Sequence, residues 1–115
     1  MLTTKKGAIL IFQMSSGACL AEIEDAHYLS INDIAVSDDF CVTGGKDTKV
    51  RVWLINDLFA HQQNAAKPYH EFGDAQMEIT QVGLSKMSSM RVFSASLDKV
   101  FRVFDIPSRQ LIKQV

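Results

Sequence analysis

The chain is poor in cysteine, carries no excess of either charge and contains no long apolar run, and each absence removes a class of protein. Its two cysteines, Cys19 and Cys41, stand 22 positions apart with no CxxC pair. Neither a zinc site nor a disulfide framework is therefore expected, and both thiols read as small apolar side chains. With 12 basic residues against 13 acidic, the formal net charge is -1. That excludes a sequence-independent grip on nucleic acid by whole-chain charge and leaves only local patches. The longest apolar run, Ala8 to Phe12, is far too short to cross a bilayer. Met1 to Gly7 lacks the apolar stretch of a secretory leader, so the segment reads as intracellular, with no membrane role.

What is present is a core-forming composition: of 115 residues, 47% are apolar and 22% charged. Short apolar or alternating segments recur along the chain. They are Ala8 to Phe12, Cys19 to Ile23, Ile31 to Val36, Phe40 to Thr43, Val50 to Leu54, Tyr69 to Phe72, Ile79 to Leu84, Arg91 to Ala95, Val100 to Phe104 and Leu111 to Val115. These ten expected strands are separated by turn residues such as Ser37-Asp38-Asp39, Gly44-Gly45-Lys46-Asp47 and Ser96-Leu97-Asp98. The spacing predicts an all-β meander and not βαβ units. Asn56 to Lys67 breaks the pattern: it is polar and alanine-rich, begins on an N-cap type and is stopped by Pro68. It reads as a short surface helix or an ordered loop.

An internal repeat organises the strands. KVRVWLI (Lys49 to Ile55) aligns with VFRVFDI (Val100 to Ile106) and with AILIFQM (Ala8 to Met14), which places Phe12, Trp53 and Phe104 in one column. The column recurs after 41 and then 51 residues, and the Asn56 to Lys67 segment accounts for the excess. The turns repeat too. Asp47 and Asp98 each stand six residues before their aromatic, and Thr43 and Ser94 each stand four before their Asp. Ala26-His27 precedes the first full unit. A period of about 40–45 residues with these turns resembles the WD40 family, whose blades are four antiparallel strands.

That resemblance implies a buried hydrogen-bonded tetrad of His27, Thr43, Asp47 and Trp53. The residue types suit one another: a carboxylate for one imidazole nitrogen, a hydroxyl for the other, and an indole N–H for that hydroxyl. A Thr, His and Asp also resemble a nucleophilic triad by type, but there is no nucleophile elbow and the spacing fits the structural tetrad. The last unit keeps only a partial tetrad, Ser94, Asp98 and Phe104, with Ala75 in the histidine column; the leading unit has Lys6 in the Asp column. Stability of these units is expected from packing of residues such as Ile9, Ile11, Phe101 and Val103.

Within WD40 chains, AHYLSIND (Ala26 to Asp33), TGGKDTKVRVWLINDLF (Thr43 to Phe59), EITQVGLS (Glu78 to Ser85) and RVFSASLDKVFRVFDI (Arg91 to Ile106) occur in that order. This is similar to the WD-repeat subunit of the Rix-type complex of large-ribosomal-subunit assembly, the family of WD repeat-containing protein 18. The resemblance implies a non-enzymatic scaffold without cofactor or metal. It would act in the nucleolus or nucleoplasm, docking a helical-repeat subunit and bringing a AAA-type remodelling ATPase to the pre-ribosome. Nucleic acid would be met only through that particle. The alternative is a WD40 adaptor of another complex, such as a ubiquitin-ligase substrate receptor or a signalling scaffold.

Contacts are expected from loops. Tyr28, Leu58 and Phe59 are candidate partner contacts; the plainer alternatives are packing on the neighbouring blade for Tyr28 and a tolerated surface excursion for the segment of Leu58 and Phe59. Lys46, Lys49, Lys99, Arg51 and Arg102 form either a weak basic patch or, as more usual, salt bridges and stem packing. His61 and His70 read as surface histidines. The units divide as 1–25, the last two strands of a blade, then blades at 26–73 and 74–115. Two and a half blades leave open faces, so the chain is expected to be a fragment or to associate with copies of itself.

Overall fold

The computed structural model describes residues 2–3, 9–12, 19–23, 27, 29–37, 39–55, 68–86 and 89–115. Among them are eleven strands: β1 (Leu2–Thr3), β2 (Ile9–Phe12), β3 (Cys19–Ile23), β4 (Ile31–Val36), β5 (Phe40–Gly45), β6 (Val50–Leu54), β7 (His70–Phe72), β8 (Ile79–Lys86), β9 (Met90–Ser96), β10 (Phe101–Asp105) and β11 (Gln110–Gln114). They form three sheets, β1-β2-β3, β4-β5-β6-β7 and β8-β9-β10-β11, and every pairing is antiparallel between chain neighbours. The leading sheet has one strand more than sequence periodicity suggests, because Leu2–Thr3 pairs with Ile9 and Leu10. The Asn56 to Lys67 segment lies outside the described residues.

The two hairpin turns that join the second and third strands of the full sheets share one conformation. Thr48 and Lys99 occupy the same repeat position, and both are left-handed, with φ of 71° and 66°. Neither is glycine, so the turn must supply compensating bonds. The Asp one residue earlier supplies one each time: Asp47 Oδ1 accepts from Lys49 N–H (3.1 Å) and Asp98 Oδ1 accepts from Val100 N–H (3.0 Å). Gly44 and Gly45, read from sequence as turn residues, instead extend β5 and pair with Asp33 and Ile31.

The core lies between the second and third sheets. Val42, Val50, Val52 and Phe72 come from one side, and Ile79, Val92, Phe104 and Ile106 from the other. Phe72 and Phe104 stack with ring centroids 4.1 Å apart. Burying each such side chain stabilises by roughly 1.5–3 kcal/mol. Gly44 sits at the closest approach: a Cβ there would stand 2.5 Å from Ile79 Cγ2 and 2.8 Å from Val82 Cγ1. Strand alternation corrects one expectation. Arg102 and Phe104 face the core, so Phe101 and Val103 face away, and Phe101 is 44% exposed. Of the other pair expected to pack, Ile9 is fully buried, while the Ile11 side chain lies outside the described residues.

Candidate functional site

The most developed polar constellation is inside the second sheet. β5 carries Thr43 and β6 carries Trp53 on the same face, the turn between them carries Asp47, and His27 comes in from the segment before β4. Trp53 Nε1–H donates to Thr43 Oγ1 (3.0 Å), and Thr43 Oγ1 lies 2.6 Å from His27 Nε2. His27 Nδ1 is 2.9 Å from both oxygens of Asp47. Assigning the imidazole proton to Nδ1 makes each bond donate in one direction, indole to hydroxyl to imidazole to carboxylate, with no donor left over. His27 and Thr43 are fully buried, and Trp53 nearly so.

Arg51 extends this relay to the outside. Its guanidinium donates to Asp47 Oδ2 (2.9 Å) and reaches Glu71 on β7 (2.7 Å). Burial alone would push the Asp47 carboxyl up. The hydrogen bond from His27, the Lys49 N–H and the Arg51 guanidinium outweigh it and hold the group well below the usual carboxylate range. The Cys41 thiol, fully enclosed beside Trp53 in the strand register, is pushed up to about 12 by burial and stays a protonated, inert side chain. The Cys19 side chain lies outside the described residues.

The third sheet repeats the frame without the relay. Ala75 stands in the histidine column, and Phe104 stacks on Phe72 where an indole would donate. Ser94 Oγ is therefore buried without a hydrogen-bond partner among the described residues. Asp98 keeps its place through Arg102 Nη2 (2.9 Å), Gln76 N–H (3.1 Å) and Val100 N–H. The Arg102 hydrogen bond, above all, brings its carboxyl down to about 2. Arg102 is itself buried, with Nε donating to Gln114 (2.9 Å). The Asp–Arg pair four residues apart recurs in both full units, Asp47–Arg51 and Asp98–Arg102. Sequence could have shown this spacing as one lock, but it names these arginines only as bridging or patch residues and misses Glu71 and Gln114.

The remaining candidates do not converge. Tyr28, Leu58, Phe59 and His61 lie outside the described residues. Lys46 and Lys99 are exposed, and Lys49 is half-buried. His70 packs edge-on against Phe72; burial first, then the Arg109 charge, lowers its pKa. Arg109 in turn lies over the Tyr69 ring, 4.5 Å from its centroid, a contact sequence did not suggest. Among the described residues no group of three or more His, Cys, Asp or Glu could hold a metal ion. Thr43 Oγ1 is sealed from solvent and bonded on both sides, so no substrate reaches it in this arrangement.

Consecutive four-stranded antiparallel sheets, packed face to face and repeating the same Asp turn, are the architecture of WD40 β-propeller blades, and the chain has that fold. No protein-family model matches it. Among named proteins it is similar to the pre-rRNA-processing protein IPI3 of Candida albicans, 29% identical over 117 residues that cover 95% of this chain and 23% of that protein. It is also similar to WD repeat-containing protein 18 of Danio rerio, 29% identical over 112 residues, 94% of this chain and 26% of that one. The chain thus spans about a quarter of the length of these relatives. The crystal structure of the RRP9 WD40 repeats superposes with a TM-score of 0.82 at 14% identity, over 98% of this chain and 33% of that chain, and shows the fold alone.

Proposed function

We propose that the chain is part of a non-enzymatic WD40 scaffold acting in large-subunit pre-ribosome assembly and pre-rRNA processing, in the nucleus. The observation that carries this reading is likeness along nearly the whole chain to proteins named for pre-rRNA processing in distant organisms, a yeast at 29% and Caenorhabditis elegans at 31% identity. Those names favour it over a ubiquitin-ligase receptor or a signalling adaptor. The sealed Thr43 hydroxyl supports a structural role for the relay over a catalytic one.

On this reading the blades run over 1–25, 26–73 and 74–115, and His27, Thr43, Asp47 and Trp53 lock the middle blade. The partners are a helical-repeat subunit, a AAA-type remodelling ATPase and, through them, the ribosome precursor. Tyr28, Leu58 and Phe59 are proposed contacts. The test is affinity purification from nuclear extract of the full protein that carries this sequence. Enrichment of large-subunit precursor RNA and a helical-repeat protein is expected. Recovery of neither, or of a ubiquitin-ligase core instead, overturns the reading.

A further inference from the structure

Two polar residues on β4 do something that the fold alone does not require. β4 and β8 are edge strands of their sheets, each paired on one side only, with β5 and β9 respectively. The other edge of each strand leaves backbone groups without a ladder partner. On β8, two of these groups are met by side chains of the preceding sheet. Asn32 Nδ2 donates to the Ile79 carbonyl oxygen (2.7 Å), and Val82 N–H donates to Asp33 Oδ2 (3.0 Å). The second Asp33 oxygen accepts from Ile34 N–H on its own strand (2.9 Å), so one carboxylate ties the backbones of both strands together.

Adjacent residues of a regular strand point to opposite faces and could not both serve one neighbour. Here the ladder slips between Ile31, which pairs with Gly45, and Asp33, which pairs with Gly44. Asn32 is the extra residue of this bulge, and the bulge re-aims the pair. The two groups it captures belong to Ile79 and Val82, the same residues whose side chains roof Gly44. Polar edge and apolar socket therefore fix one position of β8. The arrangement runs in one direction only. β8 has the same slip, between Ile79 and Gln81, but there Thr80 Oγ1 turns back to the Ala95 carbonyl of its own sheet. No carboxylate stands at either position of that pair.

We propose that Asn32 and Asp33 form an inter-blade latch that holds the β8–β11 blade in register on the β4–β7 blade and closes the free edge of β8 to other strands. It is independent of the pre-rRNA-processing reading.

Site-resolved amide exchange by NMR on the full chain tests it. In the wild type, the Val82 amide and the Asn32 side-chain N–H are expected to exchange slowly, although the bonds they make, to Asp33 and to the Ile79 carbonyl, are not ladder bonds. In Asp33→Ala the Val82 amide is expected to exchange about 10- to 100-fold faster, the size of a lost hydrogen bond to a charged group. The amides of Phe93 and Val103 inside the sheet should keep their rates. Equal Val82 rates in wild type and a folded Asp33→Ala overturn the latch. If that variant does not fold, the wild type decides: fast exchange at Val82 and Asn32 overturns the proposal, and slow exchange at both upholds it.

Discussion

Asp47 is the residue on which most of the buried polar chemistry depends. It receives His27, the Lys49 amide and Arg51, so removing it strands several donors at once. Asp47→Ala is expected to cost about 2–4 kcal/mol, read from the denaturant midpoint at constant m-value. Ser94 is the converse case: its hydroxyl is buried with no hydrogen-bond partner among the described residues. Ser94→Ala is expected to leave stability unchanged or raise it by up to about 1 kcal/mol, and a loss above that would show that the hydroxyl has a function. Asp47 and Asp98 also set the acid limb. Both carboxyls are depressed in the folded chain. Their contribution is complete above the unfolded carboxylate pKa of about 3.9 and is lost as pH falls through the folded values. The midpoint should therefore hold from neutral pH to about 4 and drop steeply towards about 2, and Asp47→Asn should flatten that drop.

At the scale of elements, the strands were legible because each couples a β-branched or apolar alternation to a flanking turn. Ile31–Val36, Val50–Leu54 and Cys19–Ile23 fall where periodicity puts them. Composition misled at Gly44-Gly45, where glycine signals close packing, Gly44 against Ile79 and Val82 and Gly45 against the Ser30 carbonyl and the His27 imidazole, not a turn. Only the neighbouring sheet reveals that difference. The buried face of β10 was misjudged for a related reason. An exposed phenylalanine and a buried arginine invert the usual hydropathy cue, and Arg102 tolerates burial because Asp98 and Gln114 receive it. The Thr43–Asp47–Trp53 spacing recurs as Ser94–Asp98–Phe104, but His27 joins that set only through the resemblance to WD40 blades. Glu71, Asn32 and Asp33 could not, since their partners lie on other strands or in another sheet. Two glycines make the point testable. Gly44→Ala is expected to destabilise by about 1–3 kcal/mol through overpacking. At Gly83 a Cβ meets nothing within 4 Å, so Gly83→Ala is expected to be neutral or mildly stabilising in the thermal midpoint.

The whole molecule is a row of sheets in which each face either meets its neighbour or is left open. The last sheet exposes Phe101, Leu111, Ile112 and Val115, apolar side chains on both of its faces and of the kind that associates. The isolated chain is therefore expected to be oligomeric in light scattering, and a monodisperse monomer would contradict that expectation. The relatives are about four times as long as this chain. The proposal is tested most directly by depleting the full protein that carries this sequence and following precursor ribosomal RNA. Accumulation of unprocessed large-subunit precursor, with small-subunit maturation intact, is the expected result; unchanged processing after complete depletion would contradict it.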